Sequence, residues 1–336
     1  MTALAKTEPK MNPNKKDLHV VELLQKSIGT GNPCLDFSYE RLGDAGAVLL
    51  ARRKDLSHVT QLNLSWSELT SKGLEALAQC RSLGSLTTLI LDSNEIGDEG
   101  ALAIAESKTL GSLKVLTLTK NQVSDSGALA LIKSPNLSQL STLDLELNQI
   151  GKERLAKFPD GTAASSLSRL NLRRNQIEDS TISDWLQTGA FVPVKHLNLG
   201  WNKIKNTGAA ALANSLNCCS LKFLRLNNNN ISDKGVQALA ASTTLLNLET
   251  LSIENENWIH APGAKAISES KNLTSLKRLV LALNAIGDEG ALYLANSQNL
   301  SGLQFLNVAG NKLTPRGEDA LQKSTALTGM KTLEIV

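Results

Sequence analysis

Leu89-Ile90-Leu91-Asp92-Ser93-Asn94-Glu95-Ile96 is followed 27 residues later by Leu116-Thr117-Leu118-Thr119-Lys120-Asn121-Gln122-Val123, and after another 27 by Leu143-Asp144-Leu145-Glu146-Leu147-Asn148-Gln149-Ile150. The first leucine of this pattern recurs at Leu35, Leu62, Leu89, Leu116, Leu143, Leu170, Leu197, Leu224, Leu251, Leu279, Leu306 and Leu333. Ten of the eleven intervals are 27 residues, and the step from Leu251 to Leu279 is 28. A fixed period in this range identifies a solenoid, in which each unit buries its apolar face against the next. Such a stack presents a long surface, so binding is expected before catalysis.

Each unit changes periodicity partway along. The Leu-x-Leu segment has period two and reads as a strand with one buried face. About ten residues later the spacing becomes i, i+3, i+4, as in Ala101, Ile104 and Ala105, in Ala209, Leu212 and Ala213, and in Ala264 with Ile267. Small residues in that stripe let a helix lie close to its strand. Strands stack about 4.8 Å apart and helices about 8–10 Å apart, so the stack must bend with its strands inside. Asn94, Asn121, Asn148, Asn175, Asn202, Asn229, Asn284 and Asn311 close the strand segments, where a carboxamide can both donate and accept. They are expected to form a ladder through the coil. Gly97, Gly100, Gly287 and Gly290 are expected at turns with positive φ.

These motifs resemble the leucine-rich repeats, and the helical segment makes the resemblance strongest to the ribonuclease-inhibitor-like class. Ile286-Gly287-Asp288-Glu289-Gly290-Ala291-Leu292 is similar to a motif common in bacterial members and to that of NLR receptors. The resemblance covers residues 34–336. It implies an α/β fold: a right-handed solenoid, or horseshoe, with a parallel sheet on the concave face and helices on the convex face. It also implies a bacterial source, but it names no partner, because members of the family bind unrelated molecules.

Three segments are expected. Residues 1–15 are polar and lysine-rich and read as a disordered tail. Residues 16–33 hold an amphipathic helix ended by Gly29, Gly31 and Pro33, suited to capping the open end of the stack. Residues 34–336 hold about eleven repeats and a final strand. Several units depart from the pattern: Glu40 and Ser67 replace the Asn, Arg154 and Phe158-Pro159-Asp160-Gly161 interrupt the fifth unit, and Thr181, Trp185 and Pro193 mark the sixth. The ninth gains a residue near Glu256-Asn257-Trp258. Such breaks are either drift in tolerant loops or the shaping of a partner site. Trp258 reads as an anchor for its loop.

The composition is 41% hydrophobic but only 3% aromatic, which suits a core of stacked Leu, Ile and Ala. The net charge of +3 is matched by the first sixteen residues, where Lys6, Lys10, Lys15 and Lys16 face Glu8. The repeats are therefore close to neutral, which argues against a nucleic-acid partner. Cys34, Cys80, Cys218 and Cys219 lack framework spacing and read as reduced thiols, with Cys80 in a helix. No apolar run is long enough to span a membrane, and the N-terminus lacks a hydrophobic signal core. The expected location is the cytoplasm, or a host cell reached without a cleaved signal peptide. A monomer is expected.

The residues flanking the motif leucines should line the concave face. Arg169, Asn171, Arg173, Arg174, His196, Asn198, Trp201, Phe223 and Arg225 place four arginines and two aromatic residues on three adjacent strands. Arginine and tryptophan are enriched at binding hot spots. Asp144 and Glu146 on the neighbouring strand could hold some of the arginines. Tyr39 and Trp66 form a second candidate at the N-terminal end. The competing readings are a solvated charged face for the first group and a sealed cap for the second.

Catalytic chemistry has little footing. His19, His58, His196 and His260 lack partners at metal-ligand spacing, and no phosphate loop or nucleophile elbow is present. No cofactor, metal or enzymatic activity is expected. The expected function is a protein-protein interaction scaffold, plausible as a secreted bacterial effector acting on a host protein. The alternative is a regulator of an enzyme or GTPase by occlusion or allostery.

Overall fold

Alternation along a strand sends each motif leucine inward and its two neighbours to the opposite face. The computed structural model, which describes residues 15–29, 31–152, 166–255 and 257–335, contains twelve three-residue strands built this way. They are β1 (Cys34–Asp36), β2 (Gln61–Asn63), β3 (Thr88–Ile90), β4 (Val115–Thr117), β5 (Thr142–Asp144), β6 (Arg169–Asn171), β7 (His196–Asn198), β8 (Phe223–Arg225), β9 (Thr250–Ser252), β10 (Arg278–Val280), β11 (Phe305–Asn307) and β12 (Thr332–Glu334). They form one open parallel sheet in chain order, with β1 and β12 at its edges. The first leucines pair with one another throughout, from Leu35 with Leu62 to Leu306 with Leu333. Leu251 still pairs with Leu279 across the 28-residue step, so the extra residue lies outside the strands.

The helices are α1 (Lys15–Ile28), α2 (Gly43–Ala51), α3 (Ser71–Ala78), α4 (Asp98–Glu106), α5 (Asp125–Ile132), α6 (Asp179–Thr188), α7 (Asn206–Asn214), α8 (Asp233–Ala240), α9 (Ala261–Ser268), α10 (Gly287–Ala295) and α11 (Pro315–Gln322). Ala101, Ile104, Ala209, Leu212, Ala264 and Ile267 are fully buried beneath them. Val20, Leu24 and Ile28 of α1 are buried in the same continuous core. The tail expected at 1–15 lies outside the described residues except for Lys15, as do Arg154 and Phe158-Pro159-Asp160-Gly161.

Two ladders hold successive units in register. In the first, Asn121 accepts from the Ile96 amide at 3.0 Å and donates to the Leu91 carbonyl at 3.0 Å, both in the preceding unit. The bond to Ile96 has counterparts at Asn148, Asn175, Asn202, Asn229, Asn284 and Asn311. The ninth unit supplies a rung that the fixed spacing concealed. Asn257 accepts from Ile231 N at 3.1 Å and donates to Leu226 O at 3.0 Å. The inserted residue has displaced this Asn by one position without removing it. In the second unit Ser67 donates instead to the Phe37 carbonyl.

The second ladder runs past the helix starts and corrects the reading of the glycines. Of the four expected at positive φ, only Gly287 is there, at +60°. Gly97 caps α4 at −99°, while Gly100 and Gly290 are helical. The helical glycines are needed for space. Asp44 accepts from Thr70 N at 2.8 Å and from Gly73 N at 3.1 Å, and a Cβ on Gly73 would lie 2.6 Å from its Oδ1. Asp233 and Asp288 likewise crowd Gly263 and Gly317 in the following helices. Each carboxylate satisfies amides that a helix start leaves free.

The sixth-unit break turns out to be core. Trp185 is 1% exposed, packs against Phe191 at 5.9 Å, and donates from Nε1 to Asp125 Oδ1 at 2.9 Å. Asp125 Oδ2 also accepts from Gly151 N at 2.7 Å. Burial pushes the Asp125 carboxyl above its ordinary range. Thr181, standing in for the helix glycine, bonds back to the amide of Glu178 in a capping box.

Candidate functional site

The strands place alternate side chains on the inner face, and the turn after each strand adds one more. In every unit from the first to the eleventh, the residue four positions after the first leucine has positive φ. These residues are Tyr39, Trp66, Ser93, Lys120, Leu147, Arg174, Trp201, Asn228, Asn255, Leu283 and Gly310. The left-handed region costs a side chain with a Cβ roughly 1–2 kcal/mol relative to glycine. Only one glycine occupies the row, and Tyr39, Trp66, Leu147, Trp201 and Leu283 are all exposed there. Sequence reasoning missed this regularity. The positive φ falls one residue before the ladder Asn in most units, and two before Asn257 in the ninth, at a position with no residue signature.

The arginine group assembles in part. Arg173 is committed to Glu146, with Nη1 2.5 Å from Oε1. The neighbouring Asp144 holds no arginine among the described residues; its Oδ2 accepts from Asn171 Nδ2 at 2.9 Å, and Asn171 also reaches Glu146. Trp201 collects both neighbouring guanidiniums, with Arg174 centred 5.0 Å and Arg173 5.7 Å from its ring. Phe223 stacks on His196 at 5.9 Å and carries Arg225 at 5.6 Å on its ring. The Arg225 Nε is buried with no hydrogen-bond partner. Arg169, Arg174 and Arg225 form no ion pair among the described residues. Asn198 is turned to local use, accepting from Gly200 N at 3.1 Å.

Arg169, Asn171, His196, Asn198 and Phe223 line a shallow depression of about 330 Å³, walled on the far side by Thr142 and Asp144. Burial, helped by the charges of Arg169, Lys222 and Lys195 and opposed by Glu249, holds the His196 imidazole below its ordinary value of 6.5. This keeps it neutral at physiological pH. Glu249 bridges Lys222 at 2.9 Å and Lys277 at 2.8 Å, and bonds to both hold its carboxyl down to about 2.

At the other end, Tyr39 and Trp66 stack at 5.8 Å with an interplanar angle of 13°. They are 71% and 44% exposed, so they stand outside the core. Lys120 Nζ sits 4.3 Å from the Trp66 ring centre, and Lys120 has no acidic partner among the described residues. Trp258, expected to anchor its loop, is instead 67% exposed. The backbone on either side explains this: Asn257 and Ile259 point inward as ladder and core residues, and Trp258 between them points out.

Cys80 is buried, as a thiol just after α3 and outside that helix. Cys218 is also buried, and burial pushes its thiol up to about 12. Among the described residues no group of three His, Cys, Asp or Glu side chains gathers as a metal site would require. No helix among them is long and apolar enough to cross a membrane.

Comparison with known proteins gives a family match and several similar folds. Residues 55–78, 85–105, 112–131, 193–213, 217–240 and 272–295 match the family described as Leucine Rich repeat. No curated protein matches. Among solved structures, an internalin (inlF) from Listeria monocytogenes is 21% identical, covering 84% of this chain and 82% of that one, with a TM-score of 0.45. An internalin C2 from the same organism is 22% identical over 71% and 84% of the two chains, also at 0.45. The plant peptide hormone receptor RGFR1, solved in complex with RGF2, is 20% identical over 71% and 39% at a TM-score of 0.38.

Proposed function

Because the chain is a leucine-rich repeat protein, we propose that it works as a non-enzymatic scaffold that binds a partner protein through its strand face, between β6 and β8, and at the N-terminal rim. One observation carries this reading. Arg174 and Arg225 lie on the rings of Trp201 and Phe223, Arg169 lines the depression with Phe223, and none of the three forms an ion pair among the described residues, on a surface whose backbone is locked by two ladders. Cations without a local counter-ion contribute little to folding, whereas guanidinium and indole groups on rigid backbone are the groups most often found to dominate interfaces. The depression beside His196 is open and shallow, which suits a protruding side chain better than an enclosed substrate.

The finer reading is a bacterial effector delivered to a host protein; the segment Ile286–Leu292 supports it through its similarity to bacterial members of the family. The alternative is a regulator that occludes or biases an enzyme or GTPase. In that case adding the purified protein changes the partner's rate, whereas a pure scaffold leaves the rate alone.

The test is affinity capture from host and bacterial lysates with mass spectrometry, comparing wild type with a folded Arg169→Glu, Arg174→Glu, Arg225→Glu variant. A partner held by wild type and lost by the variant supports the site. A partner held equally by both removes the arginine group from the interface. Arg173 is left unchanged, because Arg173→Glu would set two carboxylates against each other at Glu146 and confuse folding with binding.

A further inference from the structure

Within the left-handed row, the residues from Trp66 to Trp201 read Trp66, Ser93, Lys120, Leu147, Arg174, Trp201. The order is close to symmetric, with an indole at each end, a cation inside each indole, and a leucine between the cations. Each terminal indole bears one of those cations on its face, Lys120 on Trp66 and Arg174 on Trp201. Neither cation has an acidic partner among the described residues, and no position of the row from Tyr39 to Gly310 is acidic. The fold does not account for these side chains. At the same position Asn228, Asn255 and Gly310 show the residue types that the left-handed turn favours. Trp66, Leu147 and Trp201 stand there against the backbone preference while remaining 44%, 38% and 43% exposed.

We propose that this row is a docking rail for an acidic, extended segment of a partner protein, with apolar side chains seated at Trp66, Leu147 and Trp201 and carboxylates at Lys120 and Arg174. The proposal rests on the protein-binding reading above and narrows it to a partner chemistry. It also joins the two separate candidate patches, since Trp66 and Trp201 belong to one structural row. Five units separate the indoles. At about 4.8 Å per strand the gap is about 24 Å, and an extended chain rising about 3.3 Å per residue crosses it in roughly seven residues. The cations fall about two and four units along that path. The segment therefore needs apolar groups at its ends and near its middle, with one acid about three residues in from the Trp66 end and the other about one to two residues in from the Trp201 end. A guanidinium or ammonium already lying on an indole face is held where a carboxylate can reach it beside an apolar contact.

The full chain would be panned against a displayed library of twelve-residue peptides. The selected peptides would then be synthesised and titrated by fluorescence anisotropy. The proposal expects enrichment of acidic peptides with spaced apolar residues. Their affinity should fall roughly tenfold or more in Trp66→Asn, Trp201→Asn and in Lys120→Glu, Arg174→Glu, the scale of losing an interface hot spot. Because Asn occupies this turn elsewhere in the chain, the Trp→Asn variant should keep or raise Tm. A fall in Tm with peptide affinity unchanged would assign the indoles to folding and overturn the rail. Peptides lost in Arg225→Glu but retained by the row variants would also overturn it, while leaving the strand-face reading standing. An oligothymidylate that binds wild type more tightly than any selected peptide, and is released by the same row variants, would replace the acidic segment with single-stranded nucleic acid. A selection without acidic enrichment rejects the proposed partner chemistry.

Discussion

At the scale of single residues, the side chains on the strand face divide into those already used and those with no ion-pair partner among the described residues. Arg173, Asn171 and Asn198 are spent on Glu146, Asp144 and local backbone. Arg169, Arg174 and Arg225 have no such partner among the described residues. Strand alternation made the facing of these residues legible in the sequence. Their pairing was not, because it depends on which neighbour 25 or 27 residues away lies within reach. His196 shows what the resulting field does. Its folded value lies below 6.5, so in the window below about pH 6.5 the unfolded chain binds a proton that the fold resists, and stability falls as pH falls. Above that window both states are neutral and the contribution is flat. We expect His196→Gln to lose less of its urea midpoint than wild type between about pH 7.5 and 5. An equal loss in both proteins would show that His196 titrates as it does in the unfolded chain.

At the scale of elements, the helix starts are set by pairs that no single unit contains. Asp44 caps the helix of the next unit, and Gly73 is the residue that leaves it room. Two effects compete in Gly73→Ala. Helix propensity favours alanine by up to about 1 kcal/mol, while forcing a methyl against a carboxylate fixed by hydrogen bonds costs about 1–3 kcal/mol. The clash should win, giving net destabilisation in wild type. In an Asp44→Ala background the same change should cost much less, so the two substitutions should be non-additive in a denaturant double-mutant cycle. Additive effects would mean that the glycine answers to something other than the carboxylate. The glycines were visible in the sequence and their period was plain. Their purpose was not, since a glycine at positive φ and a glycine under a neighbour's carboxylate look the same in one dimension.

At the scale of the whole molecule, a solenoid is stabilised by each unit and by its contacts with the next, so a weak junction can divide its unfolding. Trp185 spans such a junction, reaching from α6 to Asp125, the first residue of α5. Trp185→Ala removes the largest fully buried side chain and leaves the Asp125 carboxylate short of a donor. A loss of about 3–5 kcal/mol is expected from the cavity alone. Urea unfolding should split into two phases, with amide exchange protection lost first around α5 and α6. A single cooperative transition would show that the junction is no weaker than the rest.

The sequence by itself determined the repeat, the strand and helix of each unit, the parallel order of the sheet and the faces of its side chains. Each of these follows from a local period: two for a strand, 3.6 for a helix, and 27 for the stack. Tertiary structure alone decided that Asn257 completes the ladder one position late, that Trp185 belongs to the core while Trp258 faces out, and that Tyr39, Trp66 and Trp201 share a left-handed row. Those outcomes turn on backbone direction at a turn and on partners supplied by a neighbouring unit. Neither leaves a mark on the residues that obey it, because the same side chain points in or out according to a φ angle set by the hydrogen bonds of the unit beside it.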